Sequence, residues 1–139
     1  MIANIPDPLP EQQVQPAHIL VVEDKIILRY MLAQWLRILG YAVLEAASAS
    51  EALELFSSPL AVDLVVSDVH MPGAMDGIGL AHYIHTAYPD IPVILVSGEA
   101  KRHELDTAPA AACFIKPYDL HDIATRIDTL LTESKKKTL

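Results

Sequence analysis

The chain has 139 residues, 52% of them hydrophobic, which is enough to bury one core and too apolar for a disordered protein. It contains no uninterrupted apolar stretch of the roughly 20 residues that a membrane helix needs, and its start lacks the basic and apolar blocks of a signal peptide. The net charge of −8 argues against nonspecific nucleic-acid binding, and the single cysteine excludes an internal disulfide. We therefore expect an acidic cytoplasmic domain with neither a membrane nor a nucleic acid as partner.

Residues 1–17 are rich in proline, have no hydrophobic period and are predicted to form a disordered arm. The folded domain is predicted at 18–134, followed by a basic tail at 135–139. Short apolar runs predict five strands, at residues 18–22, 41–46, 62–69, 92–98 and 112–116. Helical spacing predicts a first helix at 25–40, with Gly40 as its C-terminal stop. A second helix is predicted to begin after a cap at Ser48 or Ser50, and two more at 79–88 and 119–134. The segment Lys101–Pro109 is only weakly helical, since Leu105 is its single strong apolar residue.

The alternation of strands and helices predicts an α/β fold, a doubly wound parallel sheet with helices on both faces. In such sheets functional groups collect beyond the carboxyl ends of the strands. The residues at the ends of the first, third, fourth and fifth predicted strands are all polar: Glu23 and Asp24, Asp68, Ser97, and Lys116. We therefore expect these side chains to meet in one crevice.

Three carboxylates in one crevice repel each other strongly unless a cation is present. Carboxylate oxygens suit a hard ion such as Mg²⁺, with water completing its coordination. Lys116 would add a fixed positive charge and Ser97 a hydroxyl donor. These groups suit phosphoryl transfer, in which the protein positions the reactants and neutralises charge on the phosphoryl oxygens. A carboxylate can itself be the nucleophile and form an aspartyl phosphate.

Four segments resemble the motif blocks of bacterial response regulator receiver domains: ILVVEDK, VVSDVHMPGAMDG, VILVSGEA and FIKPYDL. They occur in the order and at the spacing usual in that family, and they span residues 18–134. The resemblance implies the CheY-like, flavodoxin-like fold with strand order 2-1-3-4-5. It also implies a cytoplasmic bacterial protein of two-component signal transduction.

The resemblance assigns a role to each matching position. Asp68 would accept a phosphoryl group from a sensor histidine kinase or a histidine phosphotransfer protein. Ser97 and Lys116 would each bind a phosphoryl oxygen, and the bond between Lys116 and Pro117 would be cis. The protein would catalyse only its own phosphorylation and dephosphorylation, and would not otherwise be an enzyme. The implied cofactor is Mg²⁺, and its ligands would be Glu23 (through water), Asp24, Asp68 and the backbone carbonyl of His70.

The implied conformational switch involves Ser97 and residue 113. The family usually has Tyr or Phe three residues before the lysine, whereas this sequence has Cys113 there and a ring at Phe114. Because strand residues alternate between faces, Phe114 cannot replace Cys113 without a change of register. We therefore expect phosphorylation to rearrange the Ser97 side without rotating an aromatic ring. The alternative is that Cys113 is a small strand cysteine with no regulatory role.

The resemblance also implies a downstream protein target, bound through the face made by the fourth helix, fifth strand and fifth helix. No output domain follows Ser134, which favours a stand-alone regulator over a domain excised from a longer protein. A haloacid-dehalogenase-type phosphatase would need a second Asp at position 70, where this sequence has His70. The side chain of His70 would have either a packing or solvent role or a role in tuning dephosphorylation. A flavodoxin-like cofactor binder would need a phosphate-binding loop in place of the charged residues 23–25. A phosphorylation-independent scaffold is the remaining alternative.

Taken singly, several of these residues have simpler explanations. Asp24 could cap the first helix, Ser97 could be a turn residue before a glycine, and Lys116 could be a solvated surface lysine. His82 and His85 lie three apart on a predicted helix, where exposed histidines are commoner than a metal pair.

Overall fold

The computed structural model describes residues 15–58 and 61–137. Five parallel strands form one sheet in the order β2-β1-β3-β4-β5, which confirms the predicted topology. The strands are β1 (His18–Val22), β2 (Ala42–Ala46), β3 (Leu64–Asp68), β4 (Val93–Ser97) and β5 (Ala112–Ile115). Most of the predicted N-terminal arm, residues 1–14, and the last two residues of the predicted tail lie outside the described residues.

Helices connect the strands: α1 (Ile26–Ile38), α2 (Ala49–Phe56), α3 (Gly77–Ala87) and α4 (Leu120–Lys137), with a 3₁₀ helix at Glu99–Thr107 between β4 and β5. The last helix continues three residues past its predicted end at Ser134. The first residues of the predicted basic tail are therefore helical. Among the described helices none has both the length and the apolar composition required to cross a bilayer.

Local sequence signals account for two helix ends. Ser48, rather than Ser50, caps α2, since its Oγ accepts a hydrogen bond from the Glu51 N–H at 3.2 Å. The Glu51 side chain reaches back to accept a bond from the N–H of Ala47 at 2.6 Å, much as in a capping box. Gly40 follows the end of α1 with a φ of 102°, a left-handed conformation that glycine adopts without steric cost.

The three central strands β1, β3 and β4 are buried on both faces, and their alternate residues enter different hydrophobic clusters. Leu20 and Val22 of β1 pack in the cluster that includes α2, α3 and Leu105 of the 3₁₀ helix. Ile19 and Val21 pack on the opposite face, in the cluster that includes α1 and α4. Burial on both faces explains why the strands are continuous apolar runs rather than alternating ones.

Helix α1 is more exposed than its apolar composition suggests. Leu32, Ala33 and Leu36 are buried against the sheet. Ile26 and Ile27, by contrast, are 71% and 73% exposed at the start of the helix. One face of α1 therefore presents large apolar side chains to solvent, directly after the end of β1.

The nine-residue 3₁₀ helix at Glu99–Thr107 is expected to be the least stable segment of the folded domain. Its hydrogen bonds have poorer geometry than those of an α-helix, and Leu105 is the buried residue by which it joins the core. We predict that the amides of Lys101–Pro109 exchange with deuterium faster than those of any other segment between 18 and 134. Hydrogen-exchange mass spectrometry tests this, and protection equal to that of β4 would contradict it.

Candidate functional site

Three strands deliver charged side chains to one edge of the sheet. Glu23 follows β1, Asp68 ends β3, and Lys116 follows β5. All five strands run in the same direction, so these ends lie at the carboxyl edge. Glu23 and Asp68 are each only 7% exposed, which is unusual for carboxylates without partners.

Lys116 links the two buried carboxylates. Its Nζ lies 3.2 Å from Oε1 of Glu23 and 3.2 Å from Oδ2 of Asp68. These residues are 93 and 48 positions from Lys116 in the sequence, so the contacts depend on the assembled sheet. The structure therefore does not leave Lys116 as a solvated surface lysine.

Asp24 adds a third carboxylate to the cluster. One oxygen from each of Glu23, Asp24 and Asp68 lies within 4.8 Å of the others. The Oδ1 of Asp24 is buried and has no hydrogen-bond partner. Asp24 does not cap α1, because the N-cap position is Lys25 and no side chain caps the helix. An unpartnered buried carboxylate oxygen beside two other carboxylates fits a cation ligand.

The electrostatics of the cluster also fit a cation. Burial and, after it, the charge of Asp68 raise the pKa of Glu23 to about 7, against the opposing charge of Lys116. Burial alone would lower the pKa of Lys116, but Asp68 and Glu23 together hold it above the usual value. Three carboxylates share a single ammonium group in this cluster, so Lys116 cannot balance their charge when they are ionised. An oxygen-only set of this kind suits Mg²⁺.

Ser97 ends β4 beside these residues and is 1% exposed. Its Oγ donates a hydrogen bond to the carbonyl of Gly98 at 3.1 Å. The backbone of Ser97 is also tied to the lysine, since the N–H of Lys116 donates to the Ser97 carbonyl at 2.7 Å. The strand end that carries the hydroxyl is thus bonded directly to the residue that carries the ammonium group.

The segment after β3 lies against Asp68. The N–H of His70 is 3.4 Å from Oδ1 of Asp68, and the His70 side chain is exposed. The bond between Lys116 and Pro117 is cis, as the family resemblance implies. His82 and His85 are both exposed, and the one metal-compatible cluster among the described residues is the carboxylate group above.

Gly77 is a site residue that the sequence analysis did not single out. The first residue of α3 packs on the backbone of β3, and its N–H donates to the carbonyl of Val69 at 2.8 Å. A Cβ at Gly77 would overlap the carbonyl oxygen of Asp68 and would lie 2.7 Å from the Cα of Val69. Its position after the α3 cap residue Asp76, in the sequence MDG, was the available signal.

Cys113 and Phe114 lie on opposite faces of β5, as strand alternation predicts. Phe114 pairs with Val96 and packs in the cluster beneath α1 and α4, with its ring centroid 6.4 Å from that of Tyr118. Cys113 is exposed. Burial of its partly covered thiol and the charge of Asp106 raise the Cys113 pKa, so the thiol is protonated at neutral pH. No ring occupies the position three residues before Lys116.

A doubly wound sheet with three carboxylates and a lysine at its carboxyl edge belongs to the α/β class, and these groups suit phosphoryl transfer. Comparison with known proteins narrows this class. The family model of the response regulator receiver domain matches residues 19–128, and the chain belongs to this family. It is thus a receiver domain of two-component signal transduction, as predicted, and the phosphatase and flavodoxin alternatives are set aside. Receiver domains have a signalling role, generally bind Mg²⁺ at an acidic pocket, and work with histidine kinases and downstream effectors.

Similar proteins include a sensor kinase and solved receiver domain structures. The sensor kinase CckA of Brucella abortus (strain 2308) is 41% identical over 119 residues, which is 83% of this chain and 12% of the kinase. A receiver domain protein from Clostridium thermocellum superposes with a TM-score of 0.82 at 27% identity, covering 88% of this chain and 99% of that one. The response regulator TrrA of Thermotoga maritima, in complex with Mg²⁺-BeF, has a TM-score of 0.74 at 29% identity, covering 82% and 98%.

Proposed function

We propose that residues 18–134 are a bacterial cytoplasmic phosphoacceptor domain in which Asp68 receives the phosphoryl group. The donor is a sensor histidine kinase or a histidine phosphotransfer protein. The observation that carries the proposal is the convergence of Asp68 with Glu23, Asp24 and Lys116 at the carboxyl edge of the sheet. Family membership supplies the reaction class, and these contacts support the roles that we propose for the residues.

The transfer begins with a carboxylate oxygen of Asp68 as nucleophile. It attacks the phosphorus of a phosphohistidine; the new O–P bond forms as the P–N bond breaks, and the imidazole of the donor is released. The ammonium group of Lys116, 3.2 Å from Oδ2 of Asp68, pairs with an oxygen of the incoming phosphoryl group. Ser97 gives up its bond to Gly98 and donates to another phosphoryl oxygen. Hydrolysis of the acyl phosphate, which the domain itself catalyses, returns Asp68 to its free state.

Glu23, Asp24, Asp68 and the backbone carbonyl of His70 would hold Mg²⁺, Glu23 through water. The ion supplies positive charge that neutralises the phosphoryl oxygens during transfer. The support is the unpartnered Oδ1 of Asp24 and the oxygen-only donor set. The complex of the Thermotoga relative with Mg²⁺-BeF gives further support.

We predict that acetyl phosphate, a small phosphodonor, labels the protein at Asp68 only when Mg²⁺ is present. The developing negative charge needs the cation, so chelation with EDTA should remove the label. Borohydride reduction of an aspartyl phosphate leaves homoserine, which peptide mass spectrometry locates in the sequence. Homoserine at position 68 is the expected result. A label that survives EDTA, or that maps to another residue, would contradict the proposal.

The donor docks on the exposed apolar surface of α1. A groove of about 460 Å³ runs beside the acidic cluster, between α1 and the segment that follows β5. The apolar lining of the groove is continuous with the side chains that α1 presents to solvent. Exposed apolar surface of this kind marks a protein interface. The surface lies next to Asp68, where a donor histidine must arrive. The exposed residues are Ile26, Ile27, Leu28, Tyr30 and Met31.

The downstream protein target binds the face made by the 3₁₀ helix, β5 and α4, which correspond to the fourth helix, fifth strand and fifth helix of the family. Exposed Cys113 lies on this face. A ring commits about 150–250 Å² to the pocket it fills, whereas a thiol commits far less. A ligand shifts a two-state equilibrium only by its differential interaction with the two states. The coupling of this face to Asp68 is therefore weak.

We predict that Mg²⁺ with beryllofluoride, a phosphoryl mimic, leaves deuterium exchange in β5 unchanged while altering exchange after Ser97. Cys113→Tyr should restore a ring and make exchange in β5 depend on the mimic. It should also increase the difference in target affinity between the free and phosphorylated protein. Cys113→Ala, which removes the thiol without adding a ring, is the matched control and should behave as the wild type does. A tyrosine variant indistinguishable from the alanine control would refute this account of the switch.

A further inference from the structure

Arg29 joins the acidic cluster to the edge strand β2. It lies one turn into α1, and its Nη1 donates to the backbone carbonyl of Glu23 at 2.9 Å. Its Nε donates to Oε1 of Glu45, on β2, at 3.3 Å. The Arg29 side chain is only 18% exposed, so both bonds are partly shielded from water. One planar guanidinium group thus bridges two neighbouring elements at fixed geometry.

The carbonyl that Arg29 holds belongs to the residue where the chain leaves β1. The N–H of Glu23 is fixed by the carbonyl of Ala46 at 3.0 Å. Beyond Glu23 the chain turns into α1 without a side-chain cap, because Lys25 occupies the N-cap position. The turn also carries two adjacent carboxylates, Glu23 and Asp24, which repel each other. The Glu23 carboxylate itself accepts bonds from the Lys25 N–H at 3.3 Å and from Lys116. The bond from Arg29 fixes the peptide that joins Glu23 to Asp24, from which both side chains extend.

Glu45 has a second arginine partner that provides a natural comparison. The Nη2 of Arg37 lies 3.1 Å from Oε2 of Glu45 and also donates to the carbonyl of Val43 at 3.0 Å. Arg29 and Arg37 thus share α1, the same carboxylate and a bond to a backbone carbonyl. They differ in which carbonyl they bind, since only the carbonyl held by Arg29 belongs to the acidic cluster.

We propose that Arg29 is a positioning residue for the metal site: anchored by Glu45, it fixes the Glu23 peptide so that the carboxylates of Glu23 and Asp24 converge with Asp68. This inference rests on the proposed Mg²⁺-dependent function. Glu45, which Arg29 shares with Arg37, offsets part of the charge of the guanidinium group. Arg29 binds a backbone carbonyl and not a carboxylate of the cluster, so it orients the ligands without substituting for the cation. Groups that orient metal ligands from behind typically change metal affinity by about 10- to 100-fold when removed.

Isothermal titration calorimetry of the wild type, Arg29→Met and Arg37→Met with MgCl₂ tests the inference. Arg29→Met should raise the Mg²⁺ dissociation constant about tenfold, and Arg37→Met should change it by less than about twofold. Arg29→Lys keeps a positively charged donor that can reach one of the two acceptors, the Glu23 carbonyl or the Glu45 carboxylate. Its Mg²⁺ dissociation constant should therefore lie between those of Arg29→Met and the wild type. Urea unfolding in EDTA measures the stability of each variant separately from its metal affinity.

Equal Mg²⁺ affinity in Arg29→Met and the wild type would overturn the inference and leave the proposed function intact. A loss of affinity in Arg37→Met as large as in Arg29→Met would also overturn it, since that result indicates a general effect of stability. Failure of the wild type to bind Mg²⁺ would overturn the proposed function as well. If Arg29→Met does not fold, the Mg²⁺ affinity of Glu45→Gln is measured instead, because this change weakens the anchor of Arg29. An affinity of Glu45→Gln equal to that of the wild type would overturn the inference.

Discussion

Asp68→Asn is expected to abolish phosphorylation and yet to raise the free energy of unfolding of the metal-free protein by about 1 kcal/mol. The acceptor carboxylate is 93% buried beside Glu23 and Asp24, so its removal relieves both desolvation and repulsion. Lys116 is not left unpaired by the change, because it keeps Glu23 as a partner at 3.2 Å. Asp68, which the proposed function requires, is thus expected to destabilise the metal-free protein.

Urea unfolding in EDTA and in MgCl₂, together with acetyl phosphate labelling, measures these effects. The wild type should gain stability from Mg²⁺, since a ligand that binds only the native state stabilises it, and the asparagine variant should gain less. Asp90→Asn removes an exposed carboxylate elsewhere and is the control, with no expected change in either measurement. An asparagine variant less stable than the wild type in EDTA would show that the pair with Lys116 outweighs the repulsion.

Gly77→Ala is expected to destabilise the domain by about 3 kcal/mol, at the upper end of the usual cost of overpacking. The new Cβ would overlap the carbonyl oxygen of Asp68 and would lie 2.8 Å from its carbonyl carbon. These are backbone atoms, so no side-chain rotation can relieve the overlap. The start of α3 must instead move away from β3, and because β3 ends at the acceptor, the rate of labelling should fall as well.

The matched control is Gly79→Ala, two residues later on α3. There the nearest atom to a new Cβ is Cγ of the Met75 side chain, at 2.9 Å, which can move. Alanine is also favoured over glycine inside a helix by about 1 kcal/mol, which offsets the crowding. Thermal unfolding of both variants should show a large loss for Gly77→Ala and little change for Gly79→Ala. Equal losses would mean that contact with the Asp68 peptide is not the cause.

The sequence was sufficient to predict the sheet and the charged residues at its edge. Strands buried on both faces appear as apolar runs, and the first polar residues after them must lie at the carboxyl edge of a parallel sheet. This logic identified Glu23, Asp68 and Lys116 without any knowledge of their distances. It predicted helix ends less well, because α4 continues to Lys137 whereas hydrophobic spacing alone would stop it at Ser134.

The parts that could not be predicted depend on long-range packing. Arg29 looks like an ordinary exposed position on α1 until β2 brings Glu45 beside it. The role of Gly77 depends on how closely α3 approaches β3, which no local pattern encodes. Whether Asp24 caps α1 or lies unpartnered in the cluster is decided by the backbone direction at Lys25. In each case the sequence gives the residue type, and the neighbouring element gives the role.

Because Lys116 is far in sequence from its partners, the site is complete only in a chain that includes β5 and the residue that follows it. Glu23 and Lys116 are 93 positions apart, and Asp68 lies between them. A nascent or proteolysed chain that lacks β5 carries the acceptor and the acidic residues but no ammonium group to pair with the phosphoryl oxygens. Under the proposed function, we expect such a fragment to be phosphorylated much more slowly than the complete domain, because Lys116 is absent. Efficient transfer to Asp68 would then require a chain that has folded through its last strand.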